Sequence, residues 1–376
     1  MDTRFDDLRP YYNTEVPAAM QRMADSEYIL PFIEFVFPDR PIKDTIEMIR
    51  NIKTIDEFQR SVMKPALMRV INSSMDSFNF EGLDYLKKDK NYLFISNHRD
   101  IAVDSSLLQY VFYLHDYKTT EISFGSNLMK LPFIIDLGKC NKMYRVERGG
   151  SIRDFYRNSQ HLSDYIRYTI CENNESVWIA QRNGRTKNGF DATEPGIIKM
   201  FSMSYPQDEV KSLCDLNIVP VSISYQWEPC DLFKVRELFI SRRQKYIKGE
   251  LEDLTSIITG IMQPKGNVYL SICKPLEAEE IEKAYHNNPA NFHKQVAQLI
   301  DQRIYQHYSL FDTNYVAADL LKGNDLYKDR YTIKIKEQFI RQCNKLHELD
   351  LEPFDELKNL FYTIYANPVF TKENMQ

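Results

Sequence analysis

Glycine is scarce in this chain, with 12 in 376 residues. That scarcity excludes a fold built on many tight hairpins and a phosphate site made of a glycine-rich loop, because both need backbone that only glycine adopts cheaply. No two of the six cysteines, Cys140, Cys171, Cys214, Cys230, Cys273 and Cys343, stand in Cys-x-x-Cys spacing. They read as reduced thiols, neither a disulfide frame nor a zinc site. No run of about 18 apolar residues is present, so no membrane-spanning helix is expected. The opening Met1-Asp2-Thr3-Arg4-Phe5-Asp6-Asp7 is acidic and lacks an apolar segment. It is not expected to be a secretory signal, and the expected location is cytoplasmic. An excess of positive charge is also missing: the net charge is -5. Nucleic acid is therefore not an expected partner, and any anion site must be built locally.

What is present is an ordinary globular composition, 43% hydrophobic and 27% charged, with 24 tyrosines and 22 phenylalanines. It supports one large domain with helical additions. Apolar residues recur at helical spacing before position 76, with Pro31, Pro38 and Pro41 dividing the region. From about Phe78 short strands alternate with longer helices. Strands are expected over 78–81, 92–96, 121–124, 142–145, 176–180, 217–224 and 267–272, and helices between them, such as 151–171 and 196–205. This alternation predicts an α/β fold with a largely parallel central sheet flanked by helices. The expected organisation is a helical region over 1–76, an α/β domain over 77–310 with its motifs within 92–225, and a helical extension over 311–376.

The stretch Tyr92-Leu93-Phe94-Ile95-Ser96-Asn97-His98-Arg99-Asp100 runs from a buried strand into a polar corner, and Leu107, Leu108, Val111 and Phe112 then return at helical spacing. His98 thus stands at the carboxyl end of a strand, where open α/β sheets bind ligands. A neutral histidine there can take a proton from a hydroxyl if a carboxylate holds its other ring nitrogen. Asp104 or Asp100 can be that carboxylate, and either can instead only cap the helix.

Three later strands also end in unusual residues. One leads into Arg148, two glycines and Ser151, a helix N-cap by type. Another leads into Gln181-Arg182-Asn183-Gly184-Arg185-Thr186-Lys187. The third, 218–225, carries Pro220 inside an apolar run. In a parallel sheet His98, Arg148 and the 182–187 loop share one edge. Arginines gathered on one edge of an acidic protein suit a multiply charged anion such as phosphate.

Together these four segments resemble the glycerol-phosphate and lysophosphatidic acid acyltransferases over roughly residues 78–230. That family has Asn-His, four residues and Asp; an apolar strand ending in arginine; Pro-Glu-Gly-x-Arg; and an apolar strand with a proline. Here five residues separate His98 from Asp104, Asn183 stands where the family has glutamate, and one residue is missing before Arg185. The resemblance implies His98 as general base and Asp104 as its partner, with Asp100 the alternative. It implies Arg148, Arg182, Gly184, Arg185 and Lys187 around the acceptor's phosphate, and Pro220 on a structural strand beside the acyl site. It further implies transfer of a fatty acyl group from acyl-CoA or acyl carrier protein to glycerol-phosphate or its monoacyl ester, in phospholipid biosynthesis. No metal and no bound cofactor are implied.

A second reading is a catalytically weak relative that binds lipid or acyl carrier protein, prompted by Asn183. A kinase-like phosphotransferase, suggested by His98-Arg99-Asp100 and Asp136-Leu137-Gly138, fails for want of a glycine-rich loop and a strand lysine, and has Ser105 where an asparagine is needed. Peripheral contact with the inner face of a membrane is expected, through the apolar stretches 30–37 and 128–135 unless these are core. The basic run 235–248, with Arg242, Arg243, Lys245 and Lys248, reads as a surface for an acidic carrier protein or anionic headgroups, or as ordinary salt bridges.

Overall fold

A computed structural model describes residues 3–375. Seven strands form one sheet: β1 (Met75–Glu81), β2 (Leu93–Ser96), β3 (Glu121–Gly125), β4 (Met143–Val146), β5 (Val177–Ala180), β6 (Ile218–Tyr225) and β7 (Gly266–Ile272). Their spatial order is β1-β7-β6-β2-β5-β3-β4. The five strands β6, β2, β5, β3 and β4 run parallel. β7 pairs antiparallel with β6, and β1 parallel with β7, so this pair runs the other way. The sheet is largely parallel, as the alternation of elements predicts, with one reversal.

The central strands read as unbroken apolar runs because helices cover both faces. Successive side chains of β2 and β5 enter opposite cores. Leu93, Ile95, Val177 and Ile179 join Tyr165, Ile166, Ile300 and Ile304 on one face. Phe94 and Trp178 join Leu107, Leu108, Val111 and Leu270 on the other. Truncating a fully buried leucine such as Leu107 to alanine would cost about 2–5 kcal/mol.

The helices before the sheet build a separate core from Met20, Ile33, Val36, Ile49 and Phe58, which also takes in Phe133 and Cys140. Here the two apolar stretches proposed for lipid meet each other. Phe32 packs edge-on to Phe133 at 5.7 Å, and Tyr28 lies 6.1 Å from the same ring. Ile29, Ile33, Val36, Phe37, Met129 and Phe133 are buried. Both stretches pack largely into this core, while Leu30 stays 46% exposed. The C-terminal helices Asp312–Lys322, Ile333–Asn344 and Phe354–Glu373 close around Val235 and Phe239 of the helix Asp231–Ser241.

Candidate active site

β2 stops because Asn97 imitates a strand residue with its side chain. Its Oδ1 accepts from Ile223 N at 2.8 Å, and its Nδ2 donates to Ile223 O at 3.0 Å. The chain then turns, and His98 emerges at the carboxyl edge of the sheet. Its Nδ1 lies 2.9 Å from Asp104 Oδ2. Asp104 sits in the first turn of the helix Val103–Leu114. The same Oδ2 accepts from Arg99 N at 2.6 Å and Asp100 N at 2.8 Å. Oδ1 accepts from the Tyr225 hydroxyl at 2.6 Å. Four donors thus fix one buried carboxylate, which fixes the imidazole; the Trp178 ring lies edge-on to it at 5.9 Å. With the carboxylate accepting, the ring proton is assigned to Nδ1, and Nε2 keeps a lone pair for an incoming proton.

Asp100 is placed differently. Its Oδ1 accepts from Ala102 N at 2.9 Å and Val103 N at 2.8 Å, capping the helix. This turn absorbs the fifth residue between His98 and Asp104. Its Oδ2 is buried without a hydrogen-bond partner. Burial, and then the Asp104 charge, push the Asp100 carboxyl above its ordinary value. The choice left open by the sequence thus resolves to Asp104 as the residue touching His98.

A buried polar network holds this corner from behind. Arg99 pairs with Asp191 at 2.7 Å and Glu228 at 3.1 Å. Lys234 pairs with Glu228 at 2.5 Å and donates to Arg99 O at 2.7 Å. Asp191 also accepts from Asn97 Nδ2 at 3.0 Å, Thr186 Oγ1 at 2.5 Å and the Tyr308 hydroxyl at 2.6 Å. Burial would raise the Asp191 carboxyl, but Arg99 and these donors hold it below its ordinary value. Removing one member of such a set leaves an uncompensated buried charge, at about 3–5 kcal/mol. Sequence reading assigned no role to Tyr225, Asp191, Glu228, Lys234 or Tyr308. The available signal was charge inside otherwise apolar segments, as at Lys234 and Glu228.

The basic residues divide. Thr186 N donates to His98 O at 2.7 Å, so the 182–187 loop is tied directly to the histidine. Arg185 is buried with Nη1 unpartnered, and Arg182 has Nε in the same condition. Gly184 has φ +75°, with open space where a Cβ would stand, so the loop there needs glycine's left-handed backbone. Arg148, exposed at the end of β4, lies across Gly125: a Cβ there would fall 2.9 Å from Arg148 Nε. Asp253 acts electrostatically on both Arg148 and Arg185. Lys187 is instead paired with Glu237, and burial with the neighbouring Arg185 lowers its ammonium to about 8. Pro220 is buried in β6 opposite Ile95 and presents nothing to this edge.

The basic run after β6 is largely paired. Arg243 meets Glu356 at 2.6 Å, Arg242 meets it at 3.4 Å, and Lys248 meets Asp253 at 2.6 Å. Exposed pairs of this kind contribute about 0–1 kcal/mol each. Among the described residues no group of three or more His, Cys, Asp or Glu converges as a metal site, and no helix is long and apolar enough to cross a membrane.

Residues 77–224 match the family model described as Acyltransferase. A crystal structure of the 1-acyl-sn-glycerophosphate (LPA) acyltransferase, PlsC, from Thermotoga maritima is similar at 13% identity and a TM-score of 0.38, over 77% of this chain and 95% of that one. No curated protein matches the chain. The matched stretch carries His98, Asp104 and the arginines beside them.

Proposed function

We propose that the protein moves a fatty acyl group from a thioester, acyl-CoA or acyl carrier protein, to a hydroxyl of glycerol-phosphate or its monoacyl ester, as an O-acyltransferase of glycerolipid synthesis. The observation that carries this reading is the 2.9 Å contact from His98 Nδ1 to an Asp104 carboxylate already fixed by three other donors. His98 Nε2 takes the acceptor's hydroxyl proton as its oxygen attacks the thioester carbonyl carbon. Asp104 orients the ring and stabilises the imidazolium that forms. The tetrahedral intermediate collapses, the carbon–sulfur bond breaks, and the imidazolium returns its proton to the leaving thiolate. Arg185, whose Nη1 is buried and unpartnered, and Arg148 hold the acceptor's phosphate with Arg182, and so align its hydroxyl with His98. Lys187 adds a more distant positive charge.

The test is incubation of the full chain with glycerol-phosphate and with lysophosphatidic acid, each crossed with acyl-CoA and acyl carrier protein donors, reading products by mass spectrometry. A new ester in any combination supports acyl transfer and names the pair. Donor hydrolysis without ester, or no turnover in any, overturns it in favour of a lipid-binding relative.

A further inference from the structure

The helix Ile152–Cys171 carries one apolar stripe along its length. Leu162, Ile166 and Ile170 bury it in the core, and by helical spacing Ile152 and Phe155 continue the same stripe toward the N-terminus with Tyr156 beside them. The core ends before that stripe does. Ile152 is 92% exposed, Phe155 70% and Tyr156 66%. A helix designed only for its own core would place polar residues there. The overhang begins four residues after Arg148, at the edge of the sheet that carries His98.

A second pair of exposed apolar residues lies on a segment tied to the same edge. Ile247 is 81% exposed and Leu251 66%. The segment bearing them is tied to this edge: Asp253 accepts from Asn127 Nδ2 at 2.8 Å and Arg148 N donates to Ser126 Oγ at 3.2 Å. The charge around the overhang is positive. Arg153 and Arg157 are exposed beside the stripe, and Arg148 precedes it. The one acid among them, Asp154, is engaged as the Ser151 capping box and by Arg157 at 3.3 Å.

We propose that this overhang, Ile152, Phe155 and Tyr156 flanked by Arg153 and Arg157, docks the protein on the surface of a bilayer bearing anionic headgroups. Apolar side chains interleaved with arginines at one helix end match the layered chemistry of that surface, with hydrocarbon below and phosphates above. Three large side chains 66–92% exposed among the arginines favour insertion into a bilayer surface over docking by charge alone. The inference deepens the proposed function, because docking here sets the acceptor-holding edge against the lipid that supplies an amphiphilic acceptor. The stretches 30–37 and 128–135 offer less, since Ile33, Val36, Phe37, Met129 and Phe133 are buried and Leu30 is the one large apolar side chain they leave exposed.

Flotation of the full chain with vesicles of phosphatidylcholine, alone or with phosphatidylglycerol, reads binding without turnover, so it stands or falls independently of acyl transfer. The wild type is expected to float with the anionic vesicles. Ile152→Ser, Phe155→Ser and Tyr156→Ser together should lower the bound fraction at least tenfold with melting temperature unchanged, since all three are exposed. Arg153→Glu with Arg157→Glu should abolish the preference for anionic vesicles. A wild type that stays at the bottom with both vesicles overturns the proposal, as does a serine triple variant that floats like wild type. Light scattering supplies a further outcome: a wild-type dimer that the triple variant dissociates, with flotation unaltered, would make the patch a contact between copies and sink the proposal.

Discussion

Tyr225, the last residue of β6, donates its buried hydroxyl to Asp104 Oδ1 at 2.6 Å, so the strand that carries Pro220 ends on the partner of His98. Burial, and then the Asp104 charge, keep this phenol well above its ordinary value, so it remains a donor. A hydrogen bond to a charged group contributes about 1.5–3 kcal/mol. Tyr225→Phe keeps the ring and removes only that bond. It should lower kcat by about tenfold, since three other donors remain on Asp104. A carboxylate with one donor fewer stabilises the imidazolium more, so the acid limb of the kcat/KM profile should move to higher pH. An unshifted profile with unchanged kcat would show that Tyr225 serves packing alone.

The two aspartates should separate cleanly. His98→Ala and Asp104→Asn should each reduce turnover by about two to four orders of magnitude. Asp100→Asn should leave turnover within a few-fold, because an amide oxygen can accept from Ala102 N and Val103 N as Oδ1 does. The sign of its stability effect follows from the raised Asp100 carboxyl. As pH climbs through the ordinary value of 3.8, the unfolded chain releases this proton while the folded chain retains it, so the wild type loses stability relative to Asp100→Asn. Melting curves from pH 4 to 7 should therefore show the variant gaining on the wild type. A variant that loses ground, or one with turnover as low as Asp104→Asn, would return Asp100 to the reaction.

How much of this was legible in sequence depended on the range of the interaction. β2, β5 and β6 were visible because they are apolar on both faces, and local composition records that. The reversal of β7 and β1 was not, because an apolar run reads alike in either direction. His98 was legible as polarity breaking an apolar strand. Its partner was ambiguous because a capping aspartate and an orienting aspartate look the same four residues apart, and only the hydrogen bonds separate Asp100 from Asp104. The Arg99 network stayed hidden because Asp191 and Glu228 lie 92 and 129 residues away. The apolar stretches 30–37 and 128–135 suggested lipid because nothing in either one reveals that Phe32 packs on Phe133.

The arginines should act on acceptor binding. Arg148→Ala or Arg185→Ala should raise the acceptor's KM by at least tenfold with a smaller change in kcat, because phosphate holding is lost before and during reaction alike. Arg185→Ala should be the larger, since its unpartnered Nη1 is buried and a phosphate oxygen there would meet a desolvated donor. Initial rates against acceptor at saturating donor decide this. A rise confined to the donor's KM would assign the arginines to the donor's phosphates instead.

Under the proposed function Lys187 should make the acceptor's KM sensitive to pH. Burial, reinforced by Arg185, lowers its ammonium to about 8 even though Glu237 opposes the shift. At pH 7 it is charged and adds to the positive field of the 182–187 loop; by pH 9 most of that charge is gone. A phosphate monoester is fully ionised throughout this interval, its second pKa being about 6, so the acceptor contributes little change of its own. The wild type's acceptor KM should therefore rise by a few-fold between pH 7 and 9. Lys187→Arg, cationic throughout, should flatten that rise while leaving kcat at pH 7 near wild type. The stability contribution has a definite sign as well. Between about pH 8 and the ordinary 10.5 the unfolded chain holds a proton on Lys187 that the folded chain has shed, so stability from this group increases across the window. A wild-type KM that is flat with pH, together with a flat Lys187→Arg profile, would place Lys187 out of reach of the acceptor and leave it solely as the partner of Glu237.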